Sequence, residues 1–230
     1  MSSVALITGG AVRVGRAIAL SLAEAGWDIA LHYNSSAEQA EMMAGDIRSL
    51  SRRCELFQVD LADPLQVTHL IADVVDVMGS CDLLINNASV FIPAKLIETD
   101  QETLDLTMAV NFKAPLLLMR DFAKMAEAGQ IINILDSRIA TTKTAYFAYS
   151  LSKKALAECT KLAAKEFAPG IRVNGICPGL VLPAAGPGRK GEDSIPLGSV
   201  KDVTDAILRL LDSKDVTGEL IFIDGEEHLG

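Results

Sequence analysis

The chain has 230 residues, of which 50% are hydrophobic and 22% are charged, a composition typical of one large globular domain with a sizeable core. Its formal net charge is -9 and no basic run is present, which argues against nucleic acid as the main partner. No apolar run reaches about 18 residues and Met1-Ser2-Ser3 is not a basic leader, so we predict a cytoplasmic protein without membrane contact.

The cysteines and histidines do not form a metal-binding pattern. They are scattered without a C-x-x-C pair or the spacing of metal ligands. These residues are Cys54, Cys81, Cys159, Cys177, His32, His69 and His228. We therefore predict no metal site.

A glycine-rich turn follows the first predicted strand. Val4 to Ile7 is a short apolar strand, and a helical pattern begins after Thr8 to Gly15. Glycines let the backbone turn tightly, and the N-terminus of a helix favours phosphate, so a dinucleotide pyrophosphate fits this turn. The spacing is not G-x-G-x-x-G, and a plain tight turn explains the same glycines.

The end of the second strand indicates which dinucleotide binds. Gly26 is the predicted end of the first helix, and the strand runs from Trp27 to Tyr33. An NAD site usually has an acidic residue here, whereas this chain continues as Asn34-Ser35-Ser36. With Arg13 as a source of positive charge, these residues favour NADP(H) over NAD(H). They also suit the cap of the next helix, predicted over 37–50.

Strands continue to alternate with helices along the chain. Further strands are predicted at 54–59, 82–85, 131–135, 171–176 and 219–223, and further helices at 64–78, 101–128, 149–167 and 203–211. This alternation predicts a single-domain, Rossmann-like, doubly wound parallel sheet of about seven strands with helices on both faces. Ligands bind beyond the carboxyl ends of such strands, where Thr8, Asp60, Asn86, Ser89, Asp136 and Ser137 fall.

Two further stretches bear on the site. Asn111 lies among apolar residues of the 101–128 helix, so it must either tether a neighbouring loop or hold a water. Residues 180–198 are rich in Gly, Pro and Lys without a steady period, which predicts a mobile substrate loop within one domain spanning 1–230.

The pair Tyr149 and Lys153 carries the predicted chemistry. Residues four apart share one face of a helix, so this face carries an acid beside a permanent cation. A phenol titrates near ~10 in water and exchanges its proton poorly at neutral pH unless a positive charge stabilises the phenolate. The same spacing also occurs in ordinary amphipathic helices.

Taken together, these motifs resemble the short-chain dehydrogenases/reductases over nearly the whole chain. They are Thr8-Gly9 with Gly15, Asp60, Asn86-Asn87-Ala88, Asn111, Tyr149 with Lys153, Pro178-Gly179, Thr217-Gly218 and Asp224-Gly225. The resemblance implies that Tyr149 donates a proton, that Lys153 lowers the pKa of Tyr149 and holds the nicotinamide ribose, and that Asn111 supports a water relay. It also implies a homotetramer and an NADP(H) site formed by Thr8, Gly9, Arg13, Val14, Gly15, His32, Tyr33, Asn34, Ser35, Ser36, Asp60, Leu61, Asn87, Ala88, Ser89, Lys153, Pro178 and Gly179.

Two residues differ from the usual family pattern and indicate one branch of the family. The family usually has a serine 13 residues before the tyrosine, where this chain has Asp136, and Arg13 replaces a usual Gly or Ala. Both changes resemble the pteridine reductase branch, which implies reduction of a dihydropterin such as dihydrobiopterin, dihydromonapterin or dihydrofolate. The implied substrate site comprises Arg13, Ser89, Phe91, Asp136 and Tyr149, with Asp136 assisting proton delivery and Phe91 stacking the pterin against the nicotinamide.

Other interpretations remain open at this stage. A one-residue slip would make Ser137 the working hydroxyl, and a generic carbonyl reductase, such as a 3-oxoacyl thioester reductase, would also use Tyr149 and Lys153. A cofactor-binding regulator without turnover is a third interpretation, because a fold does not establish an activity.

Overall fold

The computed structural model describes residues 2–181 and 198–229. Within these residues, seven strands form one sheet in the order β3-β2-β1-β4-β5-β6-β7, and every neighbouring pair is parallel. The strands are β1 (Val4–Ile7), β2 (Asp28–Tyr33), β3 (Cys54–Gln58), β4 (Leu83–Asn86), β5 (Gly129–Ile134), β6 (Ile171–Pro178) and β7 (Leu220–Ile223). The predicted doubly wound parallel sheet is confirmed.

Helices cover both faces of the sheet. They are α1 (Arg13–Glu24), α2 (Ala37–Ser49), α3 (Pro64–Met78), α4 (Gln101–Met108), α5 (Ala114–Met125), α6 (Phe147–Phe167) and α7 (Val200–Asp212). β1 is apolar at every position, and β4 is apolar as far as Ile85, because both faces of these central strands are buried. On β4, for example, Leu84 packs with α3, α5 and α6, whereas Leu83 and Ile85 pack with α1, α2 and α7. Within residues 2–181 and 198–229, no helix is long and apolar enough to cross a membrane.

The helix predicted over 101–128 is interrupted. A π-helical turn, Ala109–Lys113, joins α4 to α5, and α5 ends at Met125. Pro115 explains the interruption, because it has no N–H to donate to the carbonyl of Asn111 four residues earlier. The turn therefore places Asn111 where the regular helix is broken.

The strand order reverses between β1 and β4, and this reversal fixes where a ligand binds. In parallel sheets the crevice opens at the carboxyl ends of the strands at such a point. The ends of β1, β4, β5 and β6 carry Thr8, Asn87, Asp136 and Gly179. The substrate loop predicted at 180–198 lies, apart from its ends, outside the described residues.

Candidate active site and cofactor site

Gly15 allows α1 to begin directly against the glycine turn. A Cβ atom at this position would lie 2.1 Å from the carbonyl oxygen of Gly9 and 2.6 Å from the amide nitrogen of Asn87. Gly9 has a φ of 62°, a left-handed conformation that favours glycine. Both glycines are therefore required by the shape of the turn.

Thr8 and Asn87 connect this turn to the end of β4. The Thr8 hydroxyl accepts the N–H groups of Asn87 and Ala88 at 2.9 and 3.0 Å. In return, the Asn87 amide donates to the carbonyl oxygens of Thr8 and Gly9 at 2.8 and 3.1 Å. Their side chains therefore shape the cofactor site by holding its backbone.

His32 braces the same turn from β2. Its Nδ1 lies 3.0 Å from the N–H nitrogen of Gly9, so it accepts this bond, and its Nε2 lies 3.0 Å from the carbonyl oxygen of Val59, to which it donates. Burial lowers the pKa of His32 from 6.5 to about 4, against the opposing effects of Val59 and Asp60. Because both nitrogens already bond to backbone, His32 supports the cofactor turn indirectly.

The buried neutral His32 predicts a specific loss of stability in acid. Its folded pKa lies below its ordinary value, so its contribution is complete above pH 6.5 and is lost as pH falls toward about 4. We expect the free energy of unfolding of the wild type, relative to His32→Gln, to fall by about 3 kcal/mol across this window. Denaturant unfolding at several pH values measures the difference. His69 is exposed, so the matched variant His69→Gln should keep the pH dependence of the wild type. The prediction is refuted if the free energy of unfolding changes equally with pH in all three proteins.

The N-terminus of α1 has the properties of an anion site. Val12 provides no side-chain cap and the first turn contains no acidic residue, so the backbone N–H groups and the positive dipole end face the glycine turn. Arg13 adopts a φ of 54°, which is uncommon for a residue with a side chain. A cofactor phosphate fits this combination of uncapped helix, glycine cradle and nearby arginine.

The end of β2 lacks a carboxylate at the position that would contact a ribose. Tyr33 ends the strand, and Asn34, Ser35 and Ser36 follow it. Ser36 occupies the N-cap position of α2 without a side-chain capping bond, so the capping role considered from the sequence is not performed by this hydroxyl. These residues fit a 2'-phosphate better than a bare hydroxyl.

The remaining predicted cofactor residues lie around the same edge. Val14 is half-buried in α1, and Leu61 is buried after β3. The carboxylate of Asp60 accepts the N–H of Ala62 at 2.9 Å. Ser89 is exposed after β4, Pro178 ends β6, and the N–H of Gly179 donates to the carbonyl of Ile223 at 2.9 Å.

Tyr149 and Asp136 form the central contact of the site. The Tyr149 hydroxyl donates to Oδ2 of Asp136 at 2.7 Å, and Oδ1 of the same carboxylate accepts the N–H of Arg138 at 2.8 Å. Asp136 is thus held from both sides at the end of β5. The hydroxyl of Tyr149 therefore bonds directly to the carboxylate that the sequence places 13 residues before it.

This contact keeps Tyr149 protonated. Burial raises the pKa of Tyr149 well above 10, and the charge and hydrogen bond of Asp136 raise it further, whereas Arg138 opposes them. The shift is opposite to the one expected for a phenol activated by lysine, because burial and the carboxylate dominate. Tyr149 is therefore a phenol that holds its proton throughout the neutral range.

Lys153 lies one helical turn after Tyr149, as the spacing predicts. Its Nζ donates to the carbonyl of Ile134 at 2.7 Å and lies 5.8 Å from the centre of the Tyr149 ring. Burial lowers the pKa of Lys153 to about 8, although Asp136 and Cys177 oppose the shift. Burial thus lowers the pKa of Lys153 below that of an ordinary lysine, but an amine with a pKa of about 8 is still mostly protonated at neutral pH.

Asn111 tethers the loop after β4. Its Oδ1 accepts the N–H of Val90 at 2.8 Å, and its Nδ2 donates to the carbonyl of Val90 at 2.9 Å and to the Ser152 hydroxyl at 3.2 Å. The sequence left two roles for Asn111, tethering a neighbouring loop or holding a water, and these bonds show that its side chain tethers the loop. The tether fixes the loop that carries Phe91 beside α6.

Two functional residues were missed in the sequence. The ring of Tyr146 stacks on Phe91 with centres 4.3 Å apart and planes 6° apart. The guanidinium carbon of Arg138 lies beside this stack, 4.9 Å from the centre of the Tyr146 ring and 5.1 Å from that of Phe91. The edge of Phe91 also meets Tyr149, with ring centres 4.5 Å apart and planes at 79°. Tyr146 lies three residues before Tyr149 and Arg138 two after Asp136, and this proximity was the available signal.

Comparison with known families and proteins agrees with this geometry. Residues 3–190 match the model of the short chain dehydrogenase family. The chain is 31% identical to pteridine reductase 1 of Leishmania tarentolae, over 96% of this chain and 95% of that protein. It is also 30% identical to the 3-oxoacyl-[acyl-carrier-protein] reductase FabG of Staphylococcus aureus, over 98% of each chain.

A solved structure with the same fold contains the cofactor. FolM alternative dihydrofolate reductase 1 from Brucella suis, in complex with NADP, superposes with a TM-score of 0.91 and 32% identity. The match covers 99% of this chain and 96% of that one. Its bound NADP agrees with the glycine cradle and the carboxylate-free end of β2 described above.

Proposed function

The chain belongs to the short chain dehydrogenase family and is an NADP-dependent oxidoreductase, and we propose that its substrate is a dihydropterin. Reduction of a C=N bond of the pterin ring would yield the tetrahydropterin and NADP. The names of pteridine reductase 1 and of the alternative dihydrofolate reductase support this substrate class. The cytoplasmic location remains a prediction from the sequence.

The observation that carries this proposal is the 2.7 Å bond between Tyr149 and Asp136. Reduction of a carbonyl develops negative charge on oxygen, and a neighbouring carboxylate disfavours that charge. A pterin instead presents amino and ring N–H groups, which a carboxylate accepts as charge-assisted hydrogen bonds. Aspartate beside the proton donor therefore suits a pterin better than a 3-oxoacyl thioester.

The residues of the proposed mechanism have distinct tasks. NADPH, when bound, would supply the hydride for the ring carbon. Tyr149 gives its proton to the ring nitrogen, and Asp136 orients the Tyr149 hydroxyl and helps to restore the proton. Lys153 holds the nicotinamide ribose, and Asn111 keeps the substrate-side loop in place. Phe91 offers an aromatic surface for the flat ring, a contact worth about 0.5 to 1.5 kcal/mol beyond burial.

One experiment separates this proposal from its alternatives. Steady-state oxidation of NADPH is measured with 7,8-dihydrobiopterin, dihydromonapterin, dihydrofolate and a 3-oxoacyl thioester. The highest kcat/KM should belong to a dihydropterin. Preference for the thioester would support the activity named for the FabG relative, and no turnover with any compound would support a regulator.

The cofactor site predicts a preference for NADPH. We expect NADPH to bind at least about tenfold more tightly than NADH, equivalent to about 1.4 kcal/mol, which one charge-assisted contact to a 2'-phosphate supplies. Fluorescence titration of the protein with both nucleotides measures the ratio. Arg13→Gln should reduce the ratio, whereas equal affinities in the wild type would contradict the roles proposed for Arg13, Ser35 and Ser36.

We also expect a homotetramer, with α4, α5 and α6 packed across a two-fold interface. Exposed leucines on these helices include Leu116 at 37% exposure and Leu162 at 68%. Light scattering at micromolar concentration should give four times the chain mass of 24.5 kDa. Leu162→Asp should shift the protein to smaller species, whereas Leu65→Asp, at a 74% exposed position of α3, should not. A monomeric wild type would refute the expectation.

A further inference from the structure

Arg138 lies beside the proton-donating pair of Tyr149 and Asp136, at the substrate side of the site. It belongs to the short 3-10 turn Ser137–Ala140 that follows β5. Its backbone N–H donates to the Asp136 carboxylate, and its guanidinium lies beside the stacked rings of Phe91 and Tyr146. Because Phe91 also meets the edge of Tyr149, one aromatic ring separates Arg138 from the proton donor.

Among the ion pairs of residues 2–181 and 198–229, none includes Arg138, so no carboxylate of the described residues compensates its charge. The contact with the two rings does not use the planar fork of N–H donors of the guanidinium. Arg138 is also only partly buried, so its donors are accessible to a ligand.

A substrate ring that lies between Tyr149 and Phe91 would be close to this arginine. The flat ring lies against Phe91 in the proposed function, and the guanidinium is within about one ring width of that surface. A side chain that extends from the ring past Tyr146 therefore meets a cation with free donors. Carboxylate is the group whose geometry matches the guanidinium fork.

We infer that Arg138 is a specificity-determining residue that binds a carboxylate on the side chain of the substrate. The inference rests on the proposed function and refines it. In this role Arg138 selects a dihydropterin with an acidic side chain, such as dihydrofolate, over dihydropterins with neutral hydroxyalkyl side chains. In a chain with a net charge of -9, an anionic substrate needs such a local cation.

The test compares two substrates in one variant. In Arg138→Gln, KM for dihydrofolate should rise about tenfold or more, the effect of losing one charge-assisted contact. KM for neutral dihydrobiopterin should stay within about twofold. Any change in kcat should be shared by both substrates, because Arg138 acts on the pKa of Tyr149 in either case. Arg138→Lys keeps the positive charge but loses the planar fork of donors. Its KM for dihydrofolate should therefore lie between those of the wild type and Arg138→Gln.

The matched control removes an equal charge elsewhere. Arg209 is exposed on α7, so Arg209→Gln should leave both KM values unchanged. An equal rise in KM for both pterins, or no change for dihydrofolate, would overturn the inference.

A binding measurement keeps this inference separate from the proposed reaction. Calorimetry on the protein saturated with NADP should show that folate binds about tenfold or more weakly to Arg138→Gln than to the wild type. If no dihydropterin is reduced but this loss is observed, the proposed reaction fails and the carboxylate site stands. If the wild type does not bind folate, or both proteins bind it equally, the carboxylate site is refuted.

Discussion

Tyr149→Phe should lower kcat for dihydropterin reduction by about 10² to 10⁴, the contribution of a positioned general acid. The substitution removes only the hydroxyl that donates to Asp136 at 2.7 Å and leaves the buried ring in place. Affinity for NADPH should change little, because the hydroxyl serves proton transfer and not cofactor binding. Stopped-flow reduction together with NADPH titration measures both quantities.

The fold of this variant is checked independently. Asp136 keeps its bond from the N–H of Arg138, so the end of β5 retains a partner and the thermal midpoint should stay near that of the wild type. Full turnover in a folded Tyr149→Phe protein would remove Tyr149 from the mechanism.

Asp136→Ser should lower dihydropterin reduction by about 10² or more, near the lower end of what a positioned acid contributes. The substitution restores the serine usual in the family, so reduction of a 3-oxoacyl thioester should decline less. The ratio of the two activities, measured in the wild type and the variant under identical conditions, tests whether the carboxylate serves pterins specifically. An unchanged rate of dihydropterin reduction would show that Asp136 takes no part in the reaction.

The same variant predicts a change in pH dependence. The charge and hydrogen bond of Asp136 raise the pKa of Tyr149, so their removal should lower that pKa. A general acid loses activity as pH rises through its pKa, and the alkaline limb of the profile should therefore move to lower pH in Asp136→Ser. A profile identical to that of the wild type would contradict this effect.

The sheet was predictable because the features that specify it lie in consecutive stretches of the sequence. Strands buried on both faces are continuous apolar runs, and helices alternate with them, so the order of elements follows from the sequence. The π-helical turn was not predicted, because Pro115 lies within an apolar run that has helical periodicity on both sides. Asn111, within this turn, accepts the N–H of Val90, a contact between residues 21 positions apart that the local sequence does not reveal.

The site was predictable where its residues share one element. Tyr149 and Lys153 lie on one helix, so their spacing was sufficient to pair them. The lowered pKa of Lys153 was not predictable, because it depends on burial against β5 and β6. The cluster of Phe91, Tyr146 and Arg138 was missed because these residues come from three separate segments, whose meeting is set only by the tertiary fold.

The most direct test of dihydropterin reduction through Tyr149 and Asp136 is a single turnover with the protein and NADPH in excess. Dihydrofolate or dihydrobiopterin is added, and the tetrahydropterin formed is quantified by chromatography against the NADPH consumed. We predict one tetrahydropterin for each NADPH oxidised in the wild type, at a rate about 10² or more above those of Tyr149→Phe and Asp136→Ser. A wild type that oxidises NADPH with a 3-oxoacyl thioester but forms no tetrahydropterin would contradict this function.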